Sequence, residues 1–421
     1  MIYVCFSNIM LLFRNITMAY AKMTGGQLVT RIPSIIGKGD VIFCLLSDFD
    51  NHFNDVSEKD IHIFAINTES FIAHRDQNSK IDRLLILTTN PVTILDYQYN
   101  NIVFLRKNRP YIRVKYLPFT GNNYLRELFN PVQSSSKDID VLFYGTLNDR
   151  RKKILDQLGT FCNVKHVFFD DIREQNSWIK RSKIVLNTYF YENNKVFDYC
   201  RLSYLLTNSI FVISELPEDV NVKYEKKLVN FSDYIITVKY DNIVDTVRLF
   251  LTKDEQERQT YAKKACDWFN KVFNMERDIS HLITQLKIRK LSIGDYDSYL
   301  TLVKQLSKFD YDTDREKFSN YLDRDNVYIF VLPVESGLLA CASLFIIEKI
   351  HTNPVAQIED VVVDKNVRNN GYGKVMIDYI INYVKENTKC YKIVLNSNED
   401  NLKFYQKCDF ENIAYQCKYI E

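Results

Sequence analysis

Between residues 40 and 135 the chain repeats one pattern, a short apolar run followed by a polar break. Asp40-Val-Ile-Phe-Cys-Leu-Leu, Ile61-His-Ile-Phe-Ala-Ile, Arg83-Leu-Leu-Ile-Leu and Asn101-Ile-Val-Phe-Leu are its apolar members. Runs this continuous, with β-branched and aromatic members, read as strands of a parallel sheet covered on both faces. The polar stretch Pro131-Val-Gln-Ser-Ser-Ser-Lys-Asp reads as a linker. The pattern then restarts with Asp140-Val-Leu-Phe-Tyr, a turn at Gly145 and a helix opening near Asn148 or Asp149 as N-cap. Further strands are expected at Val164 to Phe169, Ile184 to Asn187 and Ile210 to Ser214, and a helix from about Asp254 to Leu286 closes the series. Such alternation implies right-handed crossovers and doubly wound sheets, with ligands at the carboxyl ends of the strands. From about Lys287 the order changes to a strand, a helix over Asp295 to Lys308, and an antiparallel pair over Val327 to Leu332 and Leu338 to Lys349. A strand over Ile358 to Val363, a helix over Gly371 to Glu386, a strand over Tyr391 to Leu395 and a helix over Asp400 to Lys407 complete one α+β domain. The expected units are therefore 1–135, 136–286 and 287–421.

Composition narrows the classes. A net charge of +2 over 421 residues removes the electrostatic reason to expect nucleic-acid binding. The nine cysteines are scattered without a C-x-x-C pair, and the six histidines form no ligand-spaced cluster, so free thiols in a reducing compartment and no metal site are expected. The apolar N-terminal run before Arg14 is too short to span a membrane and lacks signal-peptide features. It reads as a first buried strand or as residues upstream of the functional start, and the expected location is cytoplasmic. Glycine occurs only 11 times, whereas average usage of about 7% would give roughly 30. Over-use of Tyr, Phe, Asn, Ile and Lys fits A/T-rich codons and carries no fold information, but it makes each remaining glycine informative.

Two glycines stand together in Val367-Arg-Asn-Asn-Gly-Tyr-Gly-Lys, after the strand Glu359-Asp-Val-Val-Val-Asp and at the start of a helix. Glycines let successive N–H groups converge, and a helix N-terminus adds positive potential, so this is an anion cradle suited to a pyrophosphate. The alternative is a glycine turn before a surface helix. Together with Tyr391-Lys-Ile-Val-Leu-Asn-Ser-Asn-Glu-Asp-Asn-Leu-Lys-Phe-Tyr-Gln-Lys-Cys-Asp-Phe, the motif resembles the GNAT superfamily of acetyl-CoA-dependent N-acetyltransferases. Ile358-Glu-Asp-Val-Val-Val, Ser343-Leu-Phe-Ile-Ile-Glu-Lys-Ile-His and Phe404-Tyr-Gln-Lys-Cys narrow the resemblance to glucosamine 6-phosphate N-acetyltransferases over 287–421.

That resemblance implies direct acetyl transfer from acetyl-CoA to a sugar amine, without a metal and in a homodimer formed through this domain. Backbone amides of Val361, Val362 and Val363 would hold acetyl-CoA and polarise its thioester. Arg368, Asn369, Asn370, Gly371, Tyr372, Gly373 and Lys374 would cradle the pyrophosphate, with Gln406 and Lys407 adding cofactor contacts. Tyr405 would protonate the departing thiolate. Glu359 and Asp360 would bind the sugar and orient its amine, Asp360 being the candidate to take a proton. Ser307, Lys349, Ile350, His351, Tyr391, Lys392 and Lys418 would line the sugar-phosphate pocket. Two departures matter. Asn396 stands where the family has an aspartate facing the amine, and it can accept a hydrogen bond but no proton. Asp409 replaces a glycine at a tight C-cap turn, a conformation Asp adopts at modest cost.

In the preceding region, Asp140-Val-Leu-Phe-Tyr-Gly-Thr-Leu-Asn-Asp-Arg-Arg, Ile184-Val-Leu-Asn and Asp198-Tyr-Cys-Arg-Leu-Ser-Tyr with Phe211-Val-Ile-Ser-Glu resemble the second half of a GT-B glycosyltransferase. Ile66-Asn-Thr-Glu and Ile94-Leu-Asp-Tyr are similar to glycosyltransferase-like proteins of large DNA viruses, which would place the protein in host cytoplasm. The resemblance implies a UDP-sugar site with Asp198 and Arg201 at ribose and phosphate, Gly145 as the close-approach turn and Arg150 as a second phosphate contact. An N-cap with a helix-surface pair is the competing reading of Asp198 and Arg201. The expected fold class is thus α/β, two tandem doubly wound GT-B-like units followed by an α+β GNAT domain. The expected activity is acetylation of glucosamine 6-phosphate, fused to a glycosyltransferase-type module. The alternatives are acetylation of another amino sugar or nucleotide amino sugar, and a noncatalytic sugar-binding N-terminal module.

Overall fold

The computed structural model describes the chain apart from residues 8–10, 34–35, 53–59, 70, 72–75, 89, 130–135, 194, 220, 225–226, 307–313 and 414–421. The described chain divides into two compact units, Met1–Asp278 and Ile279–Glu421.

The first unit holds two parallel sheets. β1 (Ile2–Cys5), β2 (Gln27–Val29), β3 (Val41–Leu45), β4 (His62–Asn67), β5 (Val92–Asp96) and β6 (Arg113–Tyr116) pair in the order β2-β1-β3-β4-β5-β6. They are linked by α1 (Leu11–Thr24), α2 (Asp76–Leu87) and α3 (Tyr99–Asn108), and followed by α4 (Asn123–Leu128). β3 and β5 are buried along their whole length, as a sheet covered on both faces requires. The second sheet runs β13-β10-β9-β7-β8, from β7 (Ile139–Tyr144), β8 (Val164–Val167), β9 (Ser182–Asn187), β10 (Val212–Glu215) and β13 (Ile236–Val238). A hairpin of β11 (Asn221–Tyr224) and β12 (Lys227–Asn230) stands apart from it. α5 (Asp149–Gly159), α6 (Ile172–Arg181), α7 (Tyr199–Thr207), α8 (Ile243–Thr252) and α9 (Glu255–Val272) belong to this half. Val141, Phe143, Ile184 and Ile213 of the sheet pack on Ile154, Leu158, Val247 and Phe250 of the helices.

Two expected strands are helices. Arg83 to Leu87 ends α2 and Asn101 to Leu105 lies in α3, while β5 and β6, which supply the missing strands, carry no comparable run. A run of four apolar residues does not distinguish strand from helix, and burial here follows helical spacing: Ile81 and Leu84 are inside, Ile86 outside. The long helix expected from Asp254 to Leu286 is broken into α9 and α10 (Met275–Gln285). Phe273 is extended at the break with its ring buried against Trp268 and Phe269, and the Asn274 side chain accepts from the Arg277 N–H to restart the helix.

The second unit is a five-stranded sheet in the order β14-β15-β16-β17-β18. Its strands are β14 (Arg289–Lys290), β15 (Val327–Val334), β16 (Gly337–Ile347), β17 (Val355–Val363) and β18 (Lys392–Leu395). β14 to β17 are antiparallel neighbours, and only β17 and β18 run parallel. α11 (Tyr296–Val303) and α12 (Arg315–Leu322) cover one face through Leu302 and Phe318. α13 (Tyr372–Asn387) covers the other through Val375, Met376, Ile377 and Ile380, and α14 (Glu399–Lys407) follows β18. Sequence spacing misses α12, whose eight residues bury only Phe318.

Candidate active site

The second unit opens along one line of its sheet. β17 and β18 are paired only over Val355–Ile358 and Lys392–Leu395, after which β17 continues to Val363 alone on that side. A strand that leaves its neighbour exposes backbone N–H and C=O groups to whatever enters the gap. Val361, Val362 and Val363 stand on this free stretch. Just before them the β16 ladder shifts register between Cys341 and Ser343, and Asp360 takes a left-handed φ of 51°. Such a bulge re-aims the side chains next to it.

At the bulge Glu359 and Asp360 come together. Asp360 is exposed, and its pKa is raised by partial desolvation and by the Glu359 charge, against a hydrogen bond from Ser343 of β16. Glu359 Oε1 accepts from the Gln357 amide and, at 3.3 Å, from the Asn396 amide. Asn396 therefore acts as a donor to Glu359, which an aspartate at that position could not do. Gln357 was not singled out from sequence, although its place two residues before Glu359 on one strand face was the available signal. Tyr405 lies half-buried on α14 between Phe404 and Phe410, with ring centroids 5.0 and 6.2 Å away. Burial, then the Cys408 and Glu359 charges, push its pKa up and keep the hydroxyl protonated.

After β17 the chain turns into α13. Asp364 accepts from the Asn366 N–H, Asn369 has φ 68°, and Gly371 at the N-cap has φ 85° with no side-chain cap. An uncapped first turn leaves its N–H groups for an anion. A Cβ on Gly371 would lie 2.7 Å from Nε2 of His281, and one on Gly373 would lie 3.0 Å from Cζ of Phe404. Gly373 thus lies close against the Phe404 ring of α14, and a side chain there would make that ring give way. Two cations of the expected cradle have protein partners: Arg368 Nε donates to the Val363 carbonyl at 3.1 Å and Lys374 Nζ pairs with Asp378 at 2.7 Å. Asn370 is exposed, and Tyr372 packs partly into the core. Gln406 and Lys407 end α14 on the surface. The splayed strands and the uncapped glycine turn fit a thioester cofactor carrying a pyrophosphate.

Of the expected sugar-phosphate residues, Lys349, Ile350 and His351 form an exposed loop after β16, and Ile350 is fully exposed. Tyr391 and Lys392 are exposed at the start of β18, the ammonium 5.4 Å from the tyrosine ring. Ser307 and Lys418 lie outside the described residues. Asp409 takes φ 76°, so the aspartate does occupy a turn normally given to glycine. Among the described residues no group of His, Cys, Asp and Glu could hold a metal, and no helix is long and apolar enough to cross a membrane.

In the first unit a cavity of about 610 Å³ lies past the carboxyl ends of β7, β8 and β9. Gly145, Asp198 and Arg201 line it, as do Arg151, Tyr144, Phe168 and Tyr191. Gly145 has φ 122°, and a Cβ there would meet Arg201 Nη2 at 3.0 Å, so its close approach is to that guanidinium. Asp198 caps α7 by accepting from the Arg201 N–H, and its carboxylate lies 3.7 Å from Arg201 Nε. Arg150 is not among the lining residues: it makes a bidentate pair with the buried Glu215 and stacks on Tyr240. The neighbouring Arg151 lines the cavity instead, its guanidinium donating to the carbonyls of Thr146 and Thr188 and lying over the Phe143 and Phe190 rings. Burial, then the Arg201 charge, lower its pKa to about 10. Sequence alone could not choose between adjacent arginines one helical step apart.

Residues 296–410 match the acetyltransferase (GNAT) family. Glucosamine 6-phosphate N-acetyltransferase 1 of Dictyostelium discoideum is 32% identical over 139 residues, 31% of this chain and 88% of that protein. Glucosamine 6-phosphate N-acetyltransferase of Arabidopsis thaliana is 34% identical over 146 residues, 32% of this chain and 97% of that protein. The crystal structure of glucosamine-6-phosphate N-acetyltransferase from Arabidopsis thaliana aligns with 31% identity and a TM-score of 0.30, covering 32% of this chain and 98% of that one. Because the matched segment carries the splayed strands, the glycine turn and Tyr405, and spans nearly all of such relatives, the chain belongs to the GNAT family of acetyl-CoA-dependent N-acetyltransferases.

Proposed function

We propose that the second unit acetylates the amine of glucosamine 6-phosphate, giving N-acetylglucosamine 6-phosphate. The observation that carries this reading is the pair of carboxylates at the β17 bulge, where Glu359 is held by Asn396 just past the end of the β17–β18 pairing and interacts with Tyr405. Acetyl-CoA supplies an acetyl thioester as electrophile. On the edge of β17 that has left β18, backbone N–H groups of the stretch Val361 to Val363 would hold the thioester carbonyl and favour negative charge on its oxygen, the alternate N–H groups being turned toward β16. The turn Arg368 to Lys374 holds the pyrophosphate through backbone N–H groups, since Arg368 and Lys374 are already partnered. Glu359, oriented by Gln357 and Asn396, receives the sugar, and Asp360 takes a proton from its ammonium. As the amine nitrogen bonds the acetyl carbon and the C–S bond breaks, Tyr405, held protonated, would give its proton to the leaving thiolate and recover one from the acylated nitrogen. Lys349, His351 and Lys392 supply positive charge or donors for the sugar phosphate. The relatives' names support this acceptor. The test is acetyl-CoA consumption by the full chain across a panel of amines. Turnover with glucosamine 6-phosphate is expected, and turnover only with another amino sugar or a nucleotide amino sugar would overturn the acceptor.

For the first unit we infer a GT-B-like arrangement whose cavity binds a nucleotide sugar, with Arg151 and Arg201 at the phosphates and Phe168 or Tyr191 against the base. Two adjacent guanidiniums and exposed aromatic rings in a cavity of about 610 Å³ favour an aromatic polyanion. Titrating the full chain with UDP-sugars separates the outcomes. Binding with glycosyl transfer supports a transferase, binding alone a sugar-binding module, and no binding removes the reading.

A further inference from the structure

Behind the Glu359–Asp360 pair lie two hydroxyls that no step above uses. Ser343 on β16 is 2% exposed, and its Oγ–H donates to Asp360 Oδ2 at 3.4 Å. The register shift produces this contact: Ser343 pairs with Glu359 while Cys341 pairs with Val362, so Asp360 bulges and its carboxylate returns over the strand to Ser343. Tyr299 of α11 interacts with both Ser343 and Asp360, and its ring lies 5.6 Å from that of Phe318 on α12. Burial, Cys341 and Asp360 all disfavour ionisation of Tyr299, while its interaction with Ser343 eases it. The groups facing Asp360 are then Glu359 on its own strand, Ser343 and Cys341 on β16, Tyr299 on α11 and Tyr321 on α12. Of these, Glu359 opposes ionisation of Asp360 and Ser343 alone favours it.

We propose that Ser343, backed by Tyr299, is the positioning device that aims the Asp360 carboxylate at the amine. This rests on Asp360 being the group that accepts the amine proton. In that step an N–H bond of the sugar ammonium breaks and an O–H bond forms on Asp360, leaving a neutral amine. A carboxylate pushed toward its protonated form by Glu359 would meet the ammonium already carrying a proton. A donated hydrogen bond counters that push, and bonds of this kind lengthen in ligand-free sites and tighten when substrate arrives.

The experiment uses the full chain with Ser343→Ala, Ser343→Thr and Tyr299→Phe. Losing a donor that favours the carboxylate raises the pKa of Asp360, so the acid limb of the kcat/KM profile for the amine moves to higher pH, by about half to one pH unit in Ser343→Ala. Tyr299→Phe moves it the same way by less, Ser343→Thr restores it, and KM for acetyl-CoA stays within about twofold. Carboxyl-carbon NMR titration of Asp360 in the ligand-free chain reads the same shift without turnover. A folded Ser343→Ala protein whose Asp360 titration is unmoved overturns the proposal, as does Ser343→Thr behaving like Ser343→Ala. Wild-type protein that acetylates no amino sugar, with the Asp360 titration still moved by Ser343→Ala, overturns the acceptor reading alone.

Discussion

Tyr405 combines two properties a proton donor to a thiolate needs: a hydroxyl kept protonated by burial and by Glu359, and rigid placement between two phenyl rings. Tyr405→Phe keeps the ring and removes the proton. We expect kcat to fall by about 10²- to 10⁴-fold, the usual worth of general acid catalysis, with the acetyl-CoA dissociation constant from calorimetry within about twofold of wild type. Equal losses in binding and turnover would make the residue a packing group. A second titrating side chain acts on stability. Asp96, at the carboxyl end of β5, is fully buried, and burial lifts its pKa to about 7 against hydrogen bonds from the Gln98 N–H and the Asn67 and Asn101 amides. The unfolded carboxyl titrates near about 3.9, so the folded chain holds the extra proton between about 4 and 7. Stability from this group therefore rises as pH falls through that window and is lost as pH climbs to 7. Asp219, raised to about 6, works in the same direction. Urea unfolding at pH 5 and pH 8 should show a smaller difference for Asp96→Asn than for wild type. Glu359 and Tyr405 were legible as site residues because their motif carries a chemistry; Asp96 stood in the string Ile94-Leu-Asp-Tyr, but nothing in that string marks the burial that raises its pKa.

The glycine turn shows how one element can be read correctly for an incomplete reason. From sequence, Gly371 and Gly373 form a single cradle for a pyrophosphate. In the fold they answer different demands, Gly371 a left-handed backbone beside His281 and Gly373 the closeness of Phe404. Their alanine variants should differ accordingly. At Gly371 the positive φ costs about 1–2 kcal/mol before any contact with His281 is counted. At Gly373 the crowding is partly offset by the better helix propensity of alanine, about 1 kcal/mol. Denaturant unfolding should therefore rank Gly371→Ala as the less stable of the two, with KM for acetyl-CoA raised in both. A reversed order would mean that packing on α14 dominates the turn. Elsewhere the legibility of elements followed length. β15, β16 and α13 carry a full period of pattern and were read within a few residues. The four-residue apolar runs ending α2 and inside α3 could not choose a period, and β6, with no buried residue, had no signal to give.

At the scale of the whole chain, two compact units with separate hydrophobic cores make different ligands separable by their effects on unfolding. A ligand that binds only the folded form of one unit raises that unit's transition by mass action, about 2.7 kcal/mol at a hundredfold excess over its dissociation constant. Differential scanning calorimetry of the full chain should resolve two transitions. Coenzyme A should raise the one that carries residues 279–421, because the family match, the splayed strands and the glycine turn all lie there. A UDP-sugar should raise the other, and Arg201→Ala should abolish that second shift while leaving the coenzyme A shift intact, since Arg201 lines the cavity of the first unit alone. The two halves of this prediction differ in how sequence could support them. The acetyltransferase half was readable because its chemistry sits in contiguous motifs around one strand–turn–helix. The cavity of the first unit gathers residues from α1 to α7 that lie far apart in the chain, so its arginine at 151 became visible only once the sheets had placed them. If the UDP-sugar shifts neither transition while coenzyme A shifts one, the first unit is not a nucleotide-sugar module and the acetyltransferase reading stands unaffected.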